Sequence, residues 1–151
     1  MVNGTDIYLT RNSHGTPPAL FFNLNHNKII HEKIIILCIQ FDRVPHVDLV
    51  KNYKITTLDD HMTLLILHYG YMDNTDIPEA IKLLKEKGVV INLKNATYFL
   101  GRESVVIAKD IGMSPLGVTL FDFLGRNSAR VSKYFNLPSG KVFEIGSRIR
   151  L

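Results

Sequence analysis

The sequence contains a single cysteine, Cys38, so no internal disulfide can form. It lies within "IIILCI", where a buried, inert thiol is expected and a Cys–His nucleophile is not. The missing disulfide framework fits a reducing compartment such as the cytoplasm. Long apolar runs are absent too. "IIILCIQF" holds eight residues between charged groups and "HMTLLILHYGYM" holds twelve, whereas crossing a bilayer takes about 20. The opening "MVNGTDIYLTRN" has no basic lead followed by an apolar stretch, so a secretory signal is not expected there. There is no glycine-rich phosphate loop, no GxSxG, no HExxH and no CxxC. The six histidines are scattered, and His26 and His31, five apart, would need distant partners to hold zinc. No metal, cofactor or catalytic residue is therefore expected.

What is present is the material of one ordinary domain. The 151 residues are 46% hydrophobic and 21% charged, enough to bury a core. The formal net charge of +4 is unevenly placed. Residues 1–100 carry ten Lys and Arg against ten Asp and Glu; residues 101–151 carry eight against four. Such asymmetry can mark an anionic partner. Nucleic acid is not expected, because it would call for a denser basic patch with interleaved aromatics.

Patterning gives an α/β reading. "TDIYLT" alternates as a strand does and begins almost at the first residue. A chain that enters structure so abruptly is expected to be a fragment with its upstream part missing. "RNSHGTPP" is a loop, and Pro18 opens a helix running to about Lys28. "EKIIILCIQF" is a continuous apolar run rich in β-branched residues, the pattern of a strand covered on both faces. "YKITTLDDHMTLLILHYGY" reads as two strands around Asp59–Asp60, a central β-hairpin. In "MDNTDIPEAIKLLKEKG", Asp76 caps a helix, Pro78 sits in its first turn, and Gly88 stops it. "ATYFLGRESVVIA" is a strand in which Gly101 marks a bulge or a close approach. "SPLGVTLFDFLGRNSARVSKYFNLP" is the longest helix candidate, and "KVFEIGSRIRL" is a closing strand. The whole is a mixed sheet of five or six strands with three helices: helix-linked neighbours parallel, the hairpin antiparallel.

Three polar features stand out. Arg126, Arg130 and Lys133 form a basic stripe on the last helix, readable as a solvated face or as a phosphate or lipid-headgroup contact. Asn127 lies near that helix's apolar seam and is expected to tie to backbone. Arg102 and Glu103 fall on opposite faces of their strand, so one of them faces inward and needs a partner. Densest of all is "NLNHNKIIHE", where Asn23, His26, Asn27, Lys28, His31 and Glu32 gather at the join of a helix and a strand.

"FNLNHNKIIHE" resembles "HNLxHNKVLHE", a hallmark of the carboxy-terminal cytosolic domain of KUP-type bacterial potassium uptake permeases. "GTDIYLT" resembles that domain's opening strand. "HYGYMDNTDIPEAI" is similar to its "RYGFMExPDVPxAL", and "TYFLGRES" to its "TSYFLGRE". "LFDFLGRNSARVSKYFNLPSGKVFEIGSRIRL" resembles its closing helix and strand, "LFxxMSRNAxxxxxFFxIPxxRVVELGxxVEI". The five blocks keep their order over nearly the whole chain. Departures are Gly125 for a serine, His68 for an arginine, and Asp6 where a small or apolar residue is common.

The resemblance implies one domain, 1–151, cut from or encoded with a proton-coupled potassium transporter at the bacterial cell membrane, with regulation or assembly as its task. It implies the transmembrane part and a second copy as partners. Some relatives bind cyclic di-AMP, which makes a cyclic dinucleotide a candidate ligand. The residues it singles out are Asn23, His26, Asn27, Lys28, His31, Glu32, Tyr98, Gly101, Arg102, Glu103, Arg126 and Asn127, as family motif or as ligand or subunit contacts. The plainer reading of the first group is that Lys28 or His31 caps the helix end and Glu32 pairs with Arg102 across neighbouring strands. The alternative function is a free-standing α/β nucleotide-binding protein.

Overall fold

The structure is a computed structural model that describes residues 2–91, 95–103 and 133–147. Its elements run β1 (Val2–Thr10), α1 (Pro18–His26), β2 (His31–Asp42), β3 (Tyr53–Thr57), β4 (Met62–Gly70), α2 (Ile77–Glu86), β5 (Ala96–Glu103) and β6 (Val142–Ser147). The longest helix candidate, with Arg126, Asn127 and the stripe as far as Arg130, lies outside the described residues.

The apolar run of β2 dictates the architecture. Ile34 through Ile39 are six consecutive buried residues. A strand can bury both its faces only inside a sheet covered on both sides. β2 accordingly pairs in parallel with β1 on one edge and with β4 on the other. Ile35, Leu37 and Ile39 join one core cluster with Ile77, Ala80, Ile81 and Leu84 of α2. Ile34 and Ile36 face the other way and cluster with Ala19 and Leu20 of α1. The two helices therefore cover opposite faces. Each fully buried Ile or Leu adds about 1.5–3 kcal/mol. Cys38 is fully buried, and burial pushes its thiol up from the ordinary value, which keeps it inert.

The sheet has six strands in the order β3-β4-β2-β1-β5-β6. β3 and β4 pair antiparallel, as the hairpin reading requires. The hairpin is not central, however: β3 is an edge strand, with an exposure pattern of partly and fully exposed residues throughout. Its sequence shows why, since "YKITT" is too polar to be covered on both faces.

α2 is built as its sequence suggests. The Asp76 carboxylate accepts from the Glu79 amide at 2.8 Å, and Gly88 ends the helix at φ 93°. The strand ends near Gly70 are lashed by Asp73, which accepts from the Val47 amide at 2.8 Å, the Gly70 amide at 2.6 Å and His46 Nδ1 at 2.7 Å. The His46 hydrogen bond, then the Val47 amide, hold its carboxyl below the usual carboxylate range.

Gly101 pairs in regular register with Ile145, so there is no bulge. A side chain there would make only an ordinary contact, 3.6 Å from the Ala19 Cβ. Gly70 differs, because a Cβ there would collide with the Pro45 carbonyl, which is backbone and cannot swing away. Gly70→Ala is expected to destabilise the fold by roughly 2 kcal/mol. A urea midpoint equal to that of the parent chain would refute this close approach.

Candidate functional site

The cluster between α1 and β2 becomes, in three dimensions, one wall of a cleft of about 460 Å³. β1 and β5 supply its floor, and the end of α1 overhangs it. Asp6, His31, Thr97, Phe99, Ile29 and Phe143 line it, with Asn23, His26 and Asn27 above.

α1 stops because Lys28 adopts a left-handed conformation, φ 53°. The amides of Asn27 and Lys28 both donate to the Asn23 carbonyl, at 3.0 and 3.2 Å. Lys28 thus caps the helix end with its backbone, not with its side chain. Asn23 itself is the hub. It is 5% exposed, and its Nδ2 donates to the Tyr8 hydroxyl at 2.8 Å and to the Ile29 carbonyl at 3.3 Å. Its Oδ1 accepts from Asn27 Nδ2 at 2.7 Å. One amide therefore ties α1, β1 and the turn into β2.

At the bottom of the cleft stands Asp6, 1% exposed. His31 Nδ1 lies 2.6 Å from its Oδ1. The two atoms are within hydrogen-bond distance, although the geometry departs from that of a linear bond. Tyr8 donates to the other carboxylate oxygen at a long 3.5 Å. Burial raises the Asp6 carboxyl above its ordinary 3.8, and the neighbouring imidazole offsets this only in part. Tyr8, buried and beside that carboxylate, is held protonated. Gly4 leaves room for the His31 ring: a Cβ there would sit 2.7 Å from His31 Cδ2.

The remaining sequence candidates scatter. His26 is exposed, lines the cleft and stacks on Phe22 with ring centroids 6.3 Å apart. Tyr98 is a core residue, 3% exposed, on the face that α2 covers. The Glu32 side chain is exposed, while its carbonyl meets His61 Nδ1 at 3.0 Å. Glu32 does not pair with Arg102, because β1 lies between β2 and β5. The register Lys33–Thr5–Ala96 also sets the two about seven residues apart along parallel strands, or roughly 23 Å. The side chains of Arg102 and Glu103 lie outside the described residues.

Sequence reasoning missed the partnership of Asp6 with His31. The signal was available: a carboxylate inside an otherwise apolar strand must find a partner. What the sequence withheld was the register that brings it to the first residue of β2.

Two outcomes test this network. Asn23→Ala is expected to cost about 1–3 kcal/mol, because it strands the Tyr8 hydroxyl and the Ile29 carbonyl; an unchanged unfolding free energy would show that the amide ties nothing. Asp6 carries a raised carboxyl, so its contribution to stability is full below 3.8 and is lost as pH rises through the folded value. The stability of the parent chain relative to Asp6→Asn is therefore expected to fall between acid and neutral pH. Parallel melting-temperature profiles for the two would contradict the burial cost.

The whole chain has relatives. Residues 3–151 match the family described as the K+ potassium transporter C-terminal domain. The chain is 37% identical, over 99% of its length, to the probable potassium transport system protein Kup of Myxococcus xanthus, covering 23% of that protein. It is 35% identical to the proteins of the same description from Zymomonas mobilis and Bordetella avium, covering 23% and 24% of them. The chain thus spans about a quarter of the length of the curated relatives it matches. No solved structure matches it. By the family match across its length, the chain belongs to the C-terminal domain family of K+ potassium transporters.

Proposed function

We propose that this chain is the cytosolic regulatory and assembly domain of a low-affinity, proton-coupled potassium uptake transporter. It performs no chemistry, and it works at the cytoplasmic face of the bacterial cell membrane. The observation that carries the reading is the family match over residues 3–151. Among the described residues no helix is long and apolar enough to cross a membrane, so the conducting path belongs to another part of the transporter. Its partners are that transmembrane part and a second copy of itself. Support for the second copy comes from the sheet edge, where Phe143 on β6 is 60% exposed.

A domain outside the conducting path acts by stabilising one transport state over another, and a ligand acts through it by binding those states unequally. A tenfold change in state ratio requires about 1.4 kcal/mol of such difference. The ligand we propose is a nucleotide of the cyclic di-AMP type. Its support is topological. The strand order reverses between β1 and β5, with α1 and α2 on opposite faces. In open α/β sheets, ligands settle outside the carboxyl ends of the strands at such a switch point. There Ala19, whose amide is the first N–H of α1 after Pro17 and Pro18, approaches Gly101, 3.7 Å from where a Cβ would be, and a helix-start amide suits phosphate. The Asp6–His31 cleft lies at the opposite, amino-terminal edge and is not that seat.

Calorimetry with cyclic dinucleotides and adenine nucleotides is expected to show binding that Gly101→Val abolishes. Binding that survives Gly101→Val would remove the nucleotide from this crevice. Potassium uptake by cells carrying the full transporter is expected to change when the domain is deleted; unaltered flux and unaltered assembly would overturn the regulatory reading.

A further inference from the structure

Asp6 is the one buried acidic side chain among the described residues. Its surroundings hold few groups that can exchange a proton. From β1 there is Tyr8, from β2 there is His31, and from α1 there is His26 across the cleft. β5 and β6 present Thr97, Phe99 and Phe143, none of which titrates. Of the contacting pair, His31 is 25% exposed and Asp6 1%, so only the imidazole meets solvent.

We propose that Asp6 and His31 form a proton-binding site whose occupancy sets the position of the 27–30 turn, and with it the width of the cleft. A proton on the ring supplies the cation that a buried carboxylate needs. Without it the carboxylate keeps only the His31 backbone amide and the long Tyr8 contact, and must regain water or move. The part that yields is fixed by the surrounding bonds. The interior of β2 is clamped by β1 and β4. The turn ahead of it is anchored at its ends, by Asn27 on Asn23 (3.0 and 2.7 Å) and by the Val2 amide on the Ile30 carbonyl (3.0 Å), while its middle rests on longer hydrogen bonds of 3.2 Å (Lys28 amide to Asn23 carbonyl) and 3.3 Å (Asn23 Nδ2 to Ile29 carbonyl). It also contains a lysine in the left-handed region, at φ 53°, where a side chain is strained. The message has a physical path: Asp6 to the Tyr8 hydroxyl, then to Asn23 Nδ2, and from Asn23 Oδ1 to Asn27. Ile29, more than half exposed on the cleft rim, moves with the turn. The inference stands apart from the nucleotide reading, which concerns the other end of the sheet.

The test is an NMR pH titration of this chain, following the His31 ring and the side-chain amides of Asn23 and Asn27. One shared midpoint is expected for all three signals. His26→Gln is expected to leave that step in place. Asp6→Asn is expected to abolish it at the two amides while the His31 ring still titrates. Should Asp6→Asn fail to fold, His31→Gln is read in its place, and it is expected to remove the amide step. Amide signals that stay fixed while His31 titrates would overturn the proposal. So would amides that follow His26, or an amide step that persists in the variants.

Discussion

The covering of the sheet on both faces is the constraint from which the rest follows. β2 buries Ile34 to Ile39 without interruption, and this works only if β1 and β4 flank it and a helix lies over each side. Any polar side chain within that sandwich must then find its partner inside the protein, because water is excluded. Asp6 and Asn23 meet the demand in different ways. Asn23 has four short-range partners and stays neutral. Asp6 has one close neighbour, His31, and a distant hydroxyl, Tyr8. A satisfied amide makes a strut, whereas a carboxylate so sparsely held makes a site that responds to its surroundings.

Asp73 shows the same residue type in the reverse circumstance. It accepts from two backbone amides and His46, and these donors favour its ionised form. Its role is to pin two loops beside Gly70. Asp6, by contrast, is dominated by desolvation, which favours the neutral form. Two aspartates in one small domain are thus driven in opposite directions by environment alone. The amide-rich one reads as architecture, and the amide-poor one is where burial penalises a charge.

The local devices were legible in the sequence. Asp76, Pro78 and Gly88 delimit α2 because caps and breakers act within a few residues of themselves. The unbroken apolar run of β2 announced a covered strand for the same reason. Pairings between distant elements were harder. Glu32 and Arg102 looked like cross-strand partners because β2 and β5 were taken as neighbours; the interposition of β1 is a fact of topology that neither segment encodes alone. The hairpin was expected to be central and is marginal, though the polarity of "YKITT" carried the hint. At the candidate site, Asn23, Asn27 and His31 were marked from their density, while Asp6 was noted only as an oddity. Four of the marked residues (Arg102, Glu103, Arg126 and Asn127) have side chains outside the described residues.

The sheet consequently offers two ends with different chemistry. At the carboxyl ends of β1 and β5 the chain reverses its winding direction, and the Ala19 amide, the first N–H of α1, stands there beside Gly101. At the amino ends, the closing carbonyls of α1 face the cleft, a bias that works against phosphate. The second end carries the contact of Asp6 with His31 and the apolar rim of Ile29 and Phe143. β1 runs from one end to the other, pairs with both β2 and β5, and is the element that joins the two.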